Sequence, residues 1–118
     1  MPVTATNIRV RRATRQLEVT FDDGRTVSLP AEYLRVESPS AEVQGHAPDQ
    51  KVVVSGKQDV NIVHVEPIGH YAIRIRFSDG HDTGIFTWAY LDRLAAEFDE
   101  RWAAYLVSLA QRGLKRSA

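Results

Sequence analysis

One pattern occurs twice in this chain and constrains its fold more than any other feature: FDDGRTVSLPAEYL at residues 21–34 and FSDGHDTGIFTWAYL at residues 77–91. Each copy closes an alternating apolar segment on a phenylalanine, passes an Asp-Gly pair, resumes a strand-like segment and enters a helix start bearing Tyr-Leu. Asp-Gly supplies the positive φ angles of a tight hairpin turn, and period-2 alternation marks strands buried on one face. One supersecondary unit used twice predicts an α+β fold, with antiparallel sheet or sheets built from two similar hairpin-plus-short-helix units. The copies differ after the glycine, where the first has Arg25 and the second His81, so special chemistry is sought first at His81.

The flanking residues extend the pattern. Ile8 and Val10 alternate with polar neighbours, as do Leu17, Val19 and Phe21 before the first turn and Val27 and Leu29 after it. Pro30 suits the first position of a helix, where its missing N–H costs nothing, so PAEYL reads as one short helical turn. Residues 60–66 and 71–77 flank Pro67-Ile68-Gly69 and form the strongest hairpin signal; Tyr71, Ile73, Ile75 and Phe77 share one face, Ala72, Arg74 and Arg76 the other. A second hairpin follows through Asp79-Gly80, with Ile85 and Phe86 on its return strand. Between the two units, residues 36–56 carry Ser-Pro-Ser, Gly-His-Ala-Pro and Ser-Gly. This predicts a long surface loop with a small edge hairpin around residues 52–54, and loops of that length tend to be functional or mobile.

Beyond Thr87, an N-cap residue, Trp88, Leu91, Leu94, Phe98, Trp102, Tyr105, Leu106 and Leu109 recur at spacings of three and four, the stripe of an amphipathic helix. Gly113 is placed to end it. One straight helix over residues 88–112 would be about 37 Å long, so a break near residues 95–98 is expected. Both tryptophans lie on the stripe and read as core rather than as ligand platforms. The chain divides into a single domain, 1–118, with a β-rich core at 8–94, a C-terminal helix at 95–113 and a tail at 114–118.

With 15 basic and 15 acidic residues in 118, no global field draws the chain to nucleic acid or to an anionic membrane. The basic end formed by Arg112, Lys115 and Arg116 reads as a solvated helix terminus that complements the helix dipole. Cysteine is absent, which removes thiolate catalysis, disulfides and cysteine-based zinc or iron-sulfur sites. No run resembles a signal peptide or approaches the roughly 20 apolar residues of a membrane span, so a soluble, cytoplasmic protein is expected. A nucleophile elbow, a P-loop, a dinucleotide fingerprint and a two-histidine helical metal motif are all missing, and Asp22-Asp23 is a turn pair. The chain carries no catalytic constellation, so it reads as a non-enzyme with no cofactor.

Four histidines remain: His46, His64, His70 and His81. Alternation places His64 off the core face beside Arg74, and His70 stands within reach of Glu66; both read as surface residues. Asp79 and Asp82 flank His81, an arrangement that can orient an imidazole for acid-base work or for a metal, although turn chemistry alone also produces Asp-Gly-His.

The segments LPAEYLRVESPSAE and FSDGHDTGIFTWAYL, in this order, resemble the gamma-butyrobetaine hydroxylase N-terminal-like domain, which in bacteria also occurs as small stand-alone proteins of unknown function. The resemblance covers residues 8–94. It implies a fold and a module, not the oxygenase reaction, which in those enzymes belongs to a separate iron domain that nothing here resembles. Similar domains fused to Mrp-type P-loop ATPases imply a link to iron-sulfur cluster assembly.

In the hydroxylases this domain holds a structural zinc through three cysteines after a Leu-Arg pair and one histidine in the later turn. With Leu34-Arg35 as register, the cysteine places fall on Ser38, Ser40 and Val43 and the histidine place on His81. Serine and valine cannot replace zinc thiolates and Glu42 does not rebuild the set, so the resemblance implies that the site is lost. A structural zinc contributes about 10 to 16 kcal/mol in small domains, which core packing and the extra C-terminal helix must then supply. The expected role is a non-catalytic accessory or protein-interaction module whose partner is an Mrp-type iron-sulfur carrier ATPase. Arg35, Glu42, His46, Arg74, Arg76, Asp79, His81 and Asp82 are the candidate contact residues. The alternative is a small-molecule or metal-binding protein using the His81 turn with Asp79, Asp82 and Glu42.

Overall fold

A computed structural model describes residues 3–118. It shows an α+β fold in which the duplicated sequence unit becomes a duplicated structural one. The first copy is an antiparallel meander of β1 (Ala5–Arg11), β2 (Gln16–Phe21) and β3 (Thr26–Pro30), followed by helix α1 (Ala31–Val36). The second is β4 (Ile62–Ile68), β5 (Ala72–Phe77) and β6 (Ile85–Thr87), followed by α3 (Trp88–Ala96). Each second hairpin turns on an Asp-Gly whose glycine has positive φ, +88° at Gly24 and +92° at Gly80. A side chain there would be strained whatever the surrounding space.

The alternating residues meet in one core. Leu17, Val19, Phe21 and Leu29 from the first sheet, Ile62, Ile73, Ile75, Phe77 and Phe86 from the second, Tyr33 and Leu34 from α1, and Leu91 and Leu94 from α3 are all buried in it. Burial of each such aliphatic or aromatic side chain stabilises the fold by about 1.5–3 kcal/mol. Thr87 caps α3, its hydroxyl accepting the Tyr90 N–H. The C-terminal stripe breaks at Glu97 into α3 and α4 (Phe98–Gln111), because one straight rod would overshoot the core it covers. Gly113, at φ +64°, ends α4. A second apolar cluster of Val36, Tyr105 and Leu109 extends the core beneath α4, with Trp102 touching both clusters.

Five local expectations are corrected. Pro30 is the last strand residue and the extended N-cap of α1 rather than its first helical residue. Residues 52–54 form no strand; the Val52 N–H bonds the Val43 carbonyl and the segment lies against α4. The loop at 36–56 is not wholly a surface feature, since Val36, Glu37, Ser38, Ser40 and Val43 are buried, and it contains a one-turn helix α2 (Ala41–Gln44) and a 3-10 turn (Pro48–Gln50). Tyr71 lies before β5 at the rim, 56% exposed, while Ala72 is fully buried. The tail at 114–118 is docked: Lys115 and Arg116 carbonyls accept the N–H groups of Gly56 and Gln58. Arg116 also holds the buried Glu32 carboxylate with two hydrogen bonds of 3.0 and 2.8 Å.

Candidate functional site

The turn after β5 delivers His81 into the protein rather than to its surface. Gly80 N–H bonds the Phe77 carbonyl and Phe77 N–H bonds the His81 carbonyl, which folds the chain back over the end of the strand. His81 N–H then donates to Asp79 Oδ1 at 3.1 Å. The imidazole ends 7% exposed, its ring centroid 6.0 Å from that of Phe77.

Both ring nitrogens are engaged by the loop after α1. Nε2 lies 2.9 Å from Ser38 Oγ, and Nδ1 lies 3.2 Å from Glu42 Oε2. An ionised carboxylate only accepts, so the consistent proton assignment places N–H on Nδ1, facing Glu42, and leaves Nε2 to accept from the Ser38 hydroxyl. Burial and the nearby Arg35 guanidinium push the imidazole pKa down against the opposing pull of Glu42 and Asp79, which favours the neutral ring. Ser38 is fully buried, and Gly84 is the reason it fits: a Cβ at residue 84 would stand 2.4 Å from Ser38 Oγ.

Of the remaining zinc-equivalent places, Ser40 caps α2 through the Glu42 N–H at 3.2 Å and its hydroxyl meets Thr83 Oγ1 at 2.7 Å. Val43 is buried on α2. The structure thus brings Ser38 onto His81 and seats Ser40 two residues further along the same turn. Among the described residues no three His, Cys, Asp or Glu side chains converge as a metal would need.

Asp79 belongs to a second polar cluster. Arg35 Nε and Lys57 Nζ each approach Asp79 Oδ2 at 2.7 Å. Burial would raise this carboxyl, but Lys57, the His81 N–H and Arg35 outweigh it and hold the pKa down at about 2. Arg35 NH1 is buried without a partner among the described residues. Arg35, Asp79, His81 and Glu42 therefore fasten α1, the loop and the second turn to one another. The rest of the candidate set is exposed. His46 stands on the loop, where its N–H bonds Gln50 Oε1, and Asp82 lies on the outer side of the turn.

Arg74 and Arg76 lie on the solvent face of the second sheet. There Glu66, not His70, pairs with Arg74 through two bonds of 3.0 Å. The bulge between Ile62 and His64 sets His64 opposite Arg76 rather than Arg74. His70 contributes its carbonyl, which accepts the Trp88 indole N–H at 2.8 Å.

Sequence reasoning missed Glu37. Its carboxylate is 4% exposed and receives Lys51 Nζ at 3.1 and 3.0 Å and Arg101 NH1 at 2.7 Å. These groups line a cavity of about 400 Å³ between the loop and α4. Glu37 sits one residue past α1, where helical periodicity no longer assigns a side chain to a face, so no local signal marks it as buried.

Comparison with known proteins agrees with this architecture. The family described as gamma-butyrobetaine hydroxylase-like, N-terminal, matches residues 8–92. Two proteins solved in solution by NMR share 46% and 42% identity with the chain, cover 97% and 98% of it, are themselves covered over 90% and 86%, and superpose with TM-scores of 0.82 and 0.85. A crystal structure of a DUF971-family protein of unknown function from Acidithiobacillus ferrooxidans is 47% identical over 80% of this chain and 94% of its own, with a TM-score of 0.67. The search of curated proteins returns no match. With the family match spanning most of the chain and both duplicated units, the chain belongs to the gamma-butyrobetaine hydroxylase-like N-terminal family.

Proposed function

We propose that this chain is a non-catalytic accessory module that binds another protein. The observation that carries the reading is the solvent face of the second sheet. Register places His64 beside Arg76, and Glu66, Arg74 and Ile85 in one row across three strands. Ile85 is 43% exposed, and among the described residues Arg76 has no ion pair. A rigid sheet face that mixes a free guanidinium with an exposed aliphatic side chain suits a partner surface rather than a substrate, which would need a concave site. His81 supports the same reading, since its two nitrogens are consumed inside the protein.

The partner class comes from the sequence resemblance: an iron-sulfur carrier ATPase of the Mrp type, with a role in cluster assembly. The test is a pull-down from native cells with the wild-type chain and with Arg76→Glu, analysed by mass spectrometry. A specific protein, enriched by the wild type and at least tenfold depleted with the variant, supports the module and this surface. Recovery of such an ATPase supports the iron-sulfur link. If the folded wild type enriches no protein above a control domain, the module reading falls.

A further inference from the structure

The second hairpins of the two units are closed in the same way, and their hydrogen-bond phase determines which backbone groups face outward. In the first unit, Phe21 N–H bonds the Arg25 carbonyl at one end and Ala31 N–H bonds the Arg15 carbonyl at the other, both at 2.8 Å. The β2–β3 register is continuous between them. An antiparallel ladder alternates hydrogen-bonded with non-bonded pairs, so Val27 and Leu29 direct their peptide groups at β2. Thr26, Ser28 and Pro30 direct theirs away from it. The close approach of the Thr20 and Thr26 hydroxyls, 3.1 Å, is the signature of a non-bonded pair and confirms the phase. β3 is the last strand of its sheet. Its outer edge therefore offers the N–H and C=O of Thr26 and Ser28, and no other described hydrogen bond reaches them, whereas the Pro30 carbonyl, at the N-cap of α1, accepts the first bond of that helix.

Exposed edges invite strand pairing, and proteins blunt them with bulges, charges, proline or brevity. The other three edges here have such devices. β1 carries Arg9, Arg11 and a bulge between Ala5 and Asn7. β4 carries a bulge and Pro67, and β6 is three residues long. β3 reads Thr-Val-Ser-Leu-Pro, with no charge, no bulge and proline only at its end.

Beside this edge lies a cavity of about 450 Å³, walled by Val27 and Leu29 on the strand and by Ala95, Ala96, Phe98 and Asp99 at the junction of α3 and α4. Arg25, bonded to Asp92 at 2.9 Å, ties the turn before β3 to α3. A strand added to β3 would place alternate side chains in this notch, where two alanines leave room for them.

Resting on the protein-binding reading above and naming its mode, we infer that the β3 edge takes an extended peptide segment of a partner protein by strand addition. The segment has apolar residues at alternate positions and a basic residue to meet Asp99, which has no ion pair among the described residues. A second copy of this chain fits less well. Pairing β3 with itself about Ser28 sets Thr26 against Pro30, which has no N–H; pairing about Val27 joins only Thr26 and Ser28; and in either register the inward side chains of the second β3 are committed to their own core, so the notch stays empty.

The probe is a displayed hexapeptide library with apolar residues fixed at alternate positions and lysine at the end, selected on the wild-type chain. The expected clones bind the wild type, slow hydrogen exchange at the Thr26 and Ser28 amides, and weaken at least tenfold against Ser28→Pro, which removes the central donor at an edge position where proline is tolerated. They weaken equally against Ala95→Leu, which fills the notch without altering β3. Circular dichroism confirms that each variant is folded. Any of these results overturns the inference: a library yielding no clone sensitive to either folded variant, Thr26 and Ser28 amides already protected in the free monomer, or protection that grows with protein concentration and so marks a second copy. If the native partner from the pull-down depends on Arg76 and not on Ser28, strand addition falls while the module reading stands. If no native partner exists, the module reading falls and strand addition, which rests on it, falls with it.

Discussion

His81 donates from Nδ1 to Glu42 and accepts at Nε2 from Ser38, so a metal at this position would first have to displace two hydrogen bonds from a buried ring. The resemblance names Ser38 and His81 as equivalent to zinc ligands, and the structure places them 2.9 Å apart across 43 residues of sequence. That contact was legible only through the family pattern; nothing in the spacing of a serine and a distant histidine predicts it. The partners of Asp79 were not legible at all, because Arg35 and Lys57 reach it from separate segments. A test follows from the geometry. Purified wild-type protein is expected to hold no stoichiometric zinc by elemental analysis, whereas the triple variant Ser38→Cys, Ser40→Cys, Val43→Cys should take up a single chelator-resistant zinc and melt at a higher temperature. A triple variant that folds without zinc would show that the register anchored on Leu34-Arg35 is wrong.

Alternation and capping made most elements legible, since the central strands β2 and β5 bury alternate residues and the Thr87 cap and Gly113 stop are local signals. Residues 52–54 misled because three successive β-branched valines resemble a strand, yet strand formation also needs an edge to pair with, and none is offered there. What holds that segment is a tyrosine hydroxyl, one of three in the chain used in the same way. Tyr33 donates to the Leu94 carbonyl at 2.7 Å, Tyr105 to the Val54 carbonyl at 2.6 Å, and Tyr90 to the Glu37 carbonyl. Together they fasten both C-terminal helices to the first half of the chain. Burial raises all three phenols, with the Glu32 charge adding to it at Tyr105, which is pushed up to about 12. A folded-state pKa above the unfolded value of 10 means that the stabilisation is fully present below pH 10 and is lost as pH rises through about 12. Phenolate absorbance of these tyrosines should therefore appear together with loss of helical circular dichroism, and Tyr105→Phe should move the transition to higher pH. Phenolate forming near pH 10 in these three tyrosines while the helices persist would show that their hydroxyls are not fasteners.

On the scale of the whole molecule, two similar units are joined into one core, and the C-terminal segment closes the assembly. Hydrophobic pattern predicted that α4 would pack, but not that the chain beyond it would return. The Arg116 guanidinium grips the Glu32 carboxylate of α1 and lies 5.2 Å from the Trp102 ring centroid, while the neighbouring backbone bonds residues 56 and 58. An arginine in a short basic tail carries no local signal that distinguishes a solvated end from a buried partner; the distinction lies in Glu32, which is 84 residues away and only 6% exposed. Removing one member of a fully buried ion pair costs about 3–5 kcal/mol because the other is left uncompensated. The Arg116 side chain is 39% exposed, so solvent screening reduces the expected cost of Arg116→Ala to about 1–2 kcal/mol. Urea unfolding should show that loss, and adding Glu32→Gln should recover part of it by neutralising the stranded carboxylate. Equal losses in the single and double variants would assign the loss to the Arg116 contact with the Trp102 ring rather than to the ion pair, and no loss in either would mean that the basic end is solvated, as its composition alone implies.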